Sequence, residues 1–212
     1  MTYQEQIEHI EQQARAETKK ILANDGGLYQ THKDLAVKYG LGEYHFESIV
    51  FYEGDKVIKV KNPFAQCRVT LNPINEAIYQ HIIHNIYFPE TNYRLVGLTE
   101  INSTLRVVLE QDKVEKKRNC TEEEIGAYIR GKGFEIDKWI YENDELKVVD
   151  SYPSNAIVGP DDRLYVIDPM FQMKMKAVDI IARHLDNEHV LREVRTLAPV
   201  CPELNELIFR KQ

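Results

Sequence analysis

Five polar residues, far apart in the chain, are of the types that moving a phosphoryl group requires. Lys59 sits in the apolar run "VIKV", and Glu76 follows in "NPINEA". Asp150 and Asn155 open and close "DSYPSN", and Asp168 ends "LYVID". Phosphoryl transfer from a nucleotide asks little covalent chemistry of a protein. It needs a cation on the phosphates, carboxylate and amide oxygens for Mg²⁺, and a carboxylate near the acceptor hydroxyl. The chain offers one candidate for each role. Each residue also has a plainer reading. Lys59 would be an outward charge on a strand and Glu76 an ordinary helix-surface carboxylate. Asp150 and Asp168 would be turn and strand-exit residues among Ser, Pro and Asn. Only their joint order and spacing favours chemistry.

The elements that must position these residues can be read from pattern. Residues 3–23 predict a helix with a thin apolar stripe, stopped at Asn24–Gly27. "YHFESIVFYE" and "KVIKVK" predict two strands joined at Glu53-Gly54-Asp55. Asn72-Pro73 opens a helix whose inward face carries Ile74, Ala77, Ile78, His81 and Ile82. Strands are expected at "NYRLVGL" and "TLRVVLE", followed by a polar linker over 111–119. Thr121 and Glu124 form a capping-box pattern that opens a further helix with Ile125, Tyr128 and Ile129 inward. Short strands at Leu146–Val149, Ala156–Val158 and Leu164–Ile167 precede a mostly helical tail. The class is α+β.

Bulk properties narrow the function. A composition of 43% hydrophobic and 29% charged residues is that of a folded soluble chain. No apolar run approaches a membrane span, so no membrane partner is expected. The net charge of −7 argues against nucleic acid, whose binders neutralise phosphates with Lys and Arg. The basic run "KVEKKR" reads as a solvated turn. Cys67, Cys120 and Cys201 make neither a metal pattern nor a disulfide framework, which points to a reducing, cytoplasmic setting. His81 and His84, spaced i, i+3, lack a third candidate ligand nearby, so packing is the expectation for them.

Placed on those elements, the motifs resemble those of protein kinases. "VIKV" resembles the strand lysine motif, "DSYPSN" the D-x-x-x-x-N catalytic loop, "VIDP" the metal-binding strand exit and "LEQD" the hinge. More narrowly, "HNIYFPETNYRLVGL", "VVLEQ", "GKGF" and "VIDP" resemble the compact kinase-like domain of polyvalent proteins from bacterial mobile elements. The resemblance implies a two-lobed fold. A small β-rich N-lobe with one helix would span 40–111, after a helical extension over 1–39. A reduced, mostly helical C-lobe would span 112–212.

The same resemblance implies roles and cofactors, namely ATP and Mg²⁺. Lys59 would bind the α/β-phosphates, with Glu76 holding it in place. Asp150 would take the catalytic-base position, and Asn155 and Asp168 the Mg²⁺ positions. Main-chain groups at Leu109–Gln111, Glu110 and Gln111 foremost, would meet adenine. The acceptor, protein or small molecule, is left open. Departures qualify the match. "YGLGEYHFES" keeps Gly40 and Gly42 but no third glycine of a phosphate lid. Val148 and Val149 stand where His and Arg precede the catalytic Asp, and Asp168 is followed by Pro169 and Met170. These departures support a second expectation, an inactive kinase-like module that binds nucleotide or protein.

Overall fold

The computed structural model describes residues 5, 8–9, 12, 16, 19–21, 27–45, 48–62, 73–102, 104–137 and 140–209. The helix expected over 3–23 lies largely outside the described residues. Its described positions are helical, and Ile21 is buried in the main core. The first complete helix, α1 (His32–Tyr39), is opened by a capping box between Thr31 and Asp34 and closed by Gly40 at φ +80°. An antiparallel sheet follows, built from β1 (Glu43–Tyr44), β2 (Ser48–Glu53) and β3 (Lys56–Lys61). After α2 (Pro73–Tyr87) and a 3-10 turn at Pro89–Thr91, β4 (Tyr93–Ile101) and β5 (Thr104–Asp112) complete it in the order β1-β2-β3-β5-β4.

The sheet is covered on both faces. Leu35 and Tyr39 of α1 pack with Ile49, Phe51, Ile58, Val60 and Val108 on one side. The other side carries α2, so two helices serve this sheet rather than the one expected. The boundary expected at residue 40 would part α1 from the surface it covers. Gly42 follows the same logic, because a Cβ there would lie 2.6 Å from Ile49 Cγ2. Gly40 and Gly42 thus serve a helix end and a close packing contact.

At the open side of the sheet, β4 is met by the stretch Leu28–Gln30. Tyr29 bridges Leu98 in parallel, Leu98 donates to the Leu28 carbonyl and Gln30 to the Leu98 carbonyl. The Gln30 side chain adds a bond to the Val96 carbonyl at 3.0 Å. Gly97 makes room for this, since a Cβ there would lie 2.5 Å from Gln30 Nε2.

Beyond Asp112 the chain is first strand-rich, which differs from the mostly helical expectation. The elements are β6 (Arg118–Asn119), α3 (Glu122–Gly131), β7 (Glu135–Asp137), β8 (Ile140–Glu142) and β9 (Leu146–Val149), then a 3-10 turn at Pro153–Asn155, β10 (Ala156–Val158), β11 (Leu164–Val166) and β12 (Met170–Met173). They form two small antiparallel sheets, β11-β10-β6 and β12-β9-β8-β7. Thr121 and Glu124 make the expected capping box of α3. Helices α4 (Ala177–Arg183), α5 (Glu188–Leu197) and α6 (Glu203–Phe209) close the chain.

Helix α2 is buried nearly all round, because the sheet lies on one side and α4 and α5 on the other. Its polar residues are therefore spent on specific partners. The Asn85 amide pairs with both main-chain groups of Tyr93 at 2.7 Å, as a neighbouring strand would. Gln80 does the same for Phe171 of β12, at 2.8 and 3.2 Å. From the distal helices, Glu193 accepts from His81 and Asn85, and Glu203 from Tyr79.

Phe88, wholly buried after α2, stacks on Phe171 of β12 and Tyr128 of α3, with centroids 6.0 and 6.2 Å away. Phe88→Ala opens a cavity where three elements meet and is expected to cost about 3–5 kcal/mol. Urea unfolding of the two proteins measures it, and a loss under about 1 kcal/mol would mean that this junction is loosely packed.

Candidate functional site

Strand alternation puts Val57, Lys59 and Lys61 on the face of β3 that looks toward α2 and β11. Lys59 is buried, 8% exposed, and its ammonium must be compensated there. It donates to Tyr93 Oη at 2.8 Å and to the Ile167 carbonyl at 3.0 Å, and lies 3.7 Å from Asp168 Oδ1. Tyr93 Oη in turn donates to the Ile167 carbonyl at 2.7 Å. Lys61, two residues on, reaches the same Asp168 oxygen at 2.6 Å. The ring of Tyr93 lies under both ammonium groups, at 5.1 and 5.5 Å.

Hydrogen bonds carry this arrangement on to the other expected residues. Ile167, whose carbonyl receives Lys59, donates its N–H to the Asn155 carbonyl at 2.9 Å. The Asn155 side chain donates to the Asp150 carbonyl at 2.8 Å. Asp150 adopts φ +61°, a conformation that Asp tolerates better than most residues, and its side chain is exposed. Pairing of Val149 with Met170 holds the end of β9 beside the strand that follows Asp168. Lys59, Asp150, Asn155 and Asp168 are thus brought together by one connected set of bonds.

Two expectations are met differently. Glu76 makes no ion pair with Lys59. It accepts from Gln80 at 3.3 Å and lines a cavity of about 50 Å³ together with Lys61, Gln80, His81 and His84. Tyr93, Ile167 and Asp168 have taken the Lys59 ammonium instead. Glu110 and Gln111 lie between β3 and β4, paired residue for residue with both neighbours, so their main-chain groups serve the ladder. The Glu110 side chain pairs with Arg94, and Gln111 is buried, donating to the Thr91 carbonyl at 2.6 Å. An adenine contact at these two residues would have to displace strand pairing.

Sequence reasoning passed over Lys61 and Tyr93. Period-two alternation from Lys59 was the available signal for Lys61. Thr91 was also unread. It gathers His84, Gln111 and the Val166 carbonyl into one buried network beneath Ile167.

Burial pulls the Lys59 ammonium down to about 8, only partly offset by Asp168. Burial would raise the Asp168 carboxyl, yet the neighbouring lysines, Lys61 foremost, hold it well below the usual carboxylate range. Burial takes His84 down to about 3, so its ring is neutral near pH 7. With Nε2 2.8 Å from the Thr91 carbonyl, a pure acceptor, the His84 proton sits on Nε2 and Nδ1 keeps its lone pair.

Asp168 keeps 37% of its side chain exposed, which leaves one side open to a ligand. With Asn155 it offers one carboxylate and one amide oxygen, the hard donors that Mg²⁺ prefers. Among the described residues, no three or more His, Cys, Asp or Glu side chains converge on a metal position.

A buried strand lysine beside a carboxylate at a later strand exit is the pair that the resemblance to protein kinases implies. The chain matches the family of Serine/Threonine/Tyrosine Kinases found in polyvalent proteins over residues 11–175, and it belongs to that family. No curated protein and no solved structure matched it. Among the described residues, no helix is long and apolar enough to cross a membrane.

The lowered Lys59 value fixes the sign of a pH effect. In the unfolded chain the amine holds its proton to its ordinary 10.5, and in the fold only to about 8. Its burial penalty therefore applies in full below pH 8 and lifts as pH rises from 8 to 10.5. Relative to Lys59→Met, the wild type should gain at most about 3 kcal/mol across that window. Denaturant unfolding at stepped pH measures the difference, and a flat profile would contradict a buried ammonium.

Proposed function

We propose that this kinase-family chain is an ATP- and Mg²⁺-dependent phosphotransferase acting on an acceptor hydroxyl brought to Asp150. The reading is carried by the bonded series Lys59–Ile167–Asn155–Asp150, with Asp168 adjoining Ile167. It ties the backbone of Asp150 and Asn155 to the strand exit that receives the Lys59 ammonium. Asp168 and Asn155 would hold Mg²⁺, which when bound supplies charge neutralisation on the phosphate oxygens. Lys59 would meet the α/β-phosphates, and Asp150, on the exposed side, would accept the proton of the acceptor hydroxyl. Glu76 would act on the β3 lysines from α2 rather than through a direct bond to Lys59. The exposure of Asp150 suits either a protein segment or a small molecule.

A second reading, a nucleotide- or protein-binding module without turnover, draws on the glycines. Gly40 and Gly42 are committed to a helix end and to packing, which leaves no glycine lid over a phosphate.

Thermal unfolding with ATP, with and without Mg²⁺, tests the binding half, because a ligand of the folded state raises its stability by mass action. A Mg²⁺-dependent rise in wild type that Asp168→Ala abolishes is expected. Absence of any rise at millimolar ATP would end the nucleotide reading. For turnover, Asp150→Asn should leave the rise intact and cut phosphoryl transfer by roughly 10²–10⁴-fold. ATP binding without transfer in the wild type would favour the binding module.

A further inference from the structure

Asp168 is contacted by two ammonium groups, yet only one is required by the site just described. Lys59 is held by Tyr93 and the Ile167 carbonyl whether or not Asp168 is engaged. Lys61 makes the shorter contact, 2.6 Å, to the carboxylate oxygen that a cation would need. A Mg²⁺ ion at that oxygen and an ammonium 2.6 Å from it repel, so the two compete for one position.

The surroundings offer Lys61 somewhere else to go. Its side chain lines the cavity of about 50 Å³ that Glu76, His81 and His84 also line. That volume is room enough for one water-sized group, and an ammonium is of similar size. Its lining mixes apolar groups of Ala77, Leu109 and Pro169 with polar ones, the Glu76 carboxylate among them. Nδ1 of His84 and Nδ1 of His81 are both buried without a hydrogen-bond partner. His84 carries a lone pair there, since its proton faces Thr91. His81 directs Nε2 to the Glu193 carboxylate. Glu76 contributes a carboxylate whose neighbour in α2 is Gln80. A cavity that holds acceptors and borders a lysine is a receptor for that lysine's ammonium.

We propose that Lys61 is a built-in competitor for the divalent cation at Asp168, and that it yields by swinging from Asp168 to Glu76 and His84. The proposal rests on the phosphotransferase reading, because it concerns the cation of that site. It gives Glu76 a partner on β3, two residues from the one expected. It also makes the cation, in displacing Lys61, the trigger for a direct ion pair between α2 and β3.

Mn²⁺ uptake by the full chain, read from the electron paramagnetic resonance of the free ion, tests this without turnover. In the absence of nucleotide, Lys61→Met should bind Mn²⁺ at least about tenfold more tightly than wild type. Lys61→Gln should behave alike and stands in for it if Met disturbs the fold. Adding Asp168→Asn should abolish the gain. Glu76→Gln alone should weaken Mn²⁺ severalfold, because the displaced ammonium then lacks a countercharge. Equal affinity in wild type and both Lys61 variants overturns the proposal. Repeating the titration with ADP separates the two levels. Mn²⁺–ADP uptake that depends on Asp168 but not on Lys61 leaves the phosphotransferase reading standing and the competitor role refuted. Uptake by no variant removes both.

Discussion

A charged amine has been taken out of water at the centre of this molecule, and much of the surrounding structure follows from that. An unpaired ammonium at the depth of Lys59 would cost several kcal/mol. The chain meets that cost with a phenol from the start of β4, and with a main-chain carbonyl and a carboxylate from the adjacent residues Ile167 and Asp168. Each of these needs its own support. Tyr93 is fixed by the Asn85 amide, and the segment around Ile167 by Thr91 and Asn155. Removing any one support loosens the others, which is the behaviour of a connected polar network rather than of independent contacts.

Helix α2 is the second organising element, and its chemistry is that of a helix without a solvent face. Its amides imitate strand edges at Tyr93 and Phe171, and its histidines and Tyr79 engage acceptors of the turn at Thr91 and of α5 and α6. Glu76 is thereby carried close to β3, although the gap is bridged by a cavity rather than by a bond. The arrangement couples the position of α2 to β12 through Gln80, so a shift of the helix is felt two residues from Pro169.

The parts of this design that could be read beforehand are those in which residue type and local spacing carry the information. The Gly54 hairpin, the Thr121–Glu124 cap, the Asp150–Asn155 spacing and the three short strands from Leu146 to Val166 are all local patterns. What escaped was long-range or silent in side-chain type. The Ile167 carbonyl, a central acceptor of the site, belongs to an isoleucine and leaves no mark in a motif. Glu193 and Glu203 act on α2 from more than a hundred residues away, where no periodicity connects them. The strands β7, β8 and β12 are three or four residues long, too short for alternation to register. Lys61 was hidden by its neighbour, because one lysine already satisfied the pattern.

The clip that Leu28–Gln30 places on β4 has a bearing on how these molecules meet one another. A sheet edge is a template, and an uncovered β4 would accept a strand from any passing chain. At the opposite edge, β1 is only two residues long and offers little to pair with. On the β4 side, protection comes down to a hydrogen atom. A side chain at Gly97 would push the Gln30 amide off the Val96 carbonyl and crowd the Leu28 carbonyl at 3.0 Å. The clip would be weakened there, and a weakened clip leaves more of the β4 backbone open to pairing with another chain. Cover for this edge of the sheet thus depends on the small size of a single glycine, far in sequence from Lys59 and Asp168.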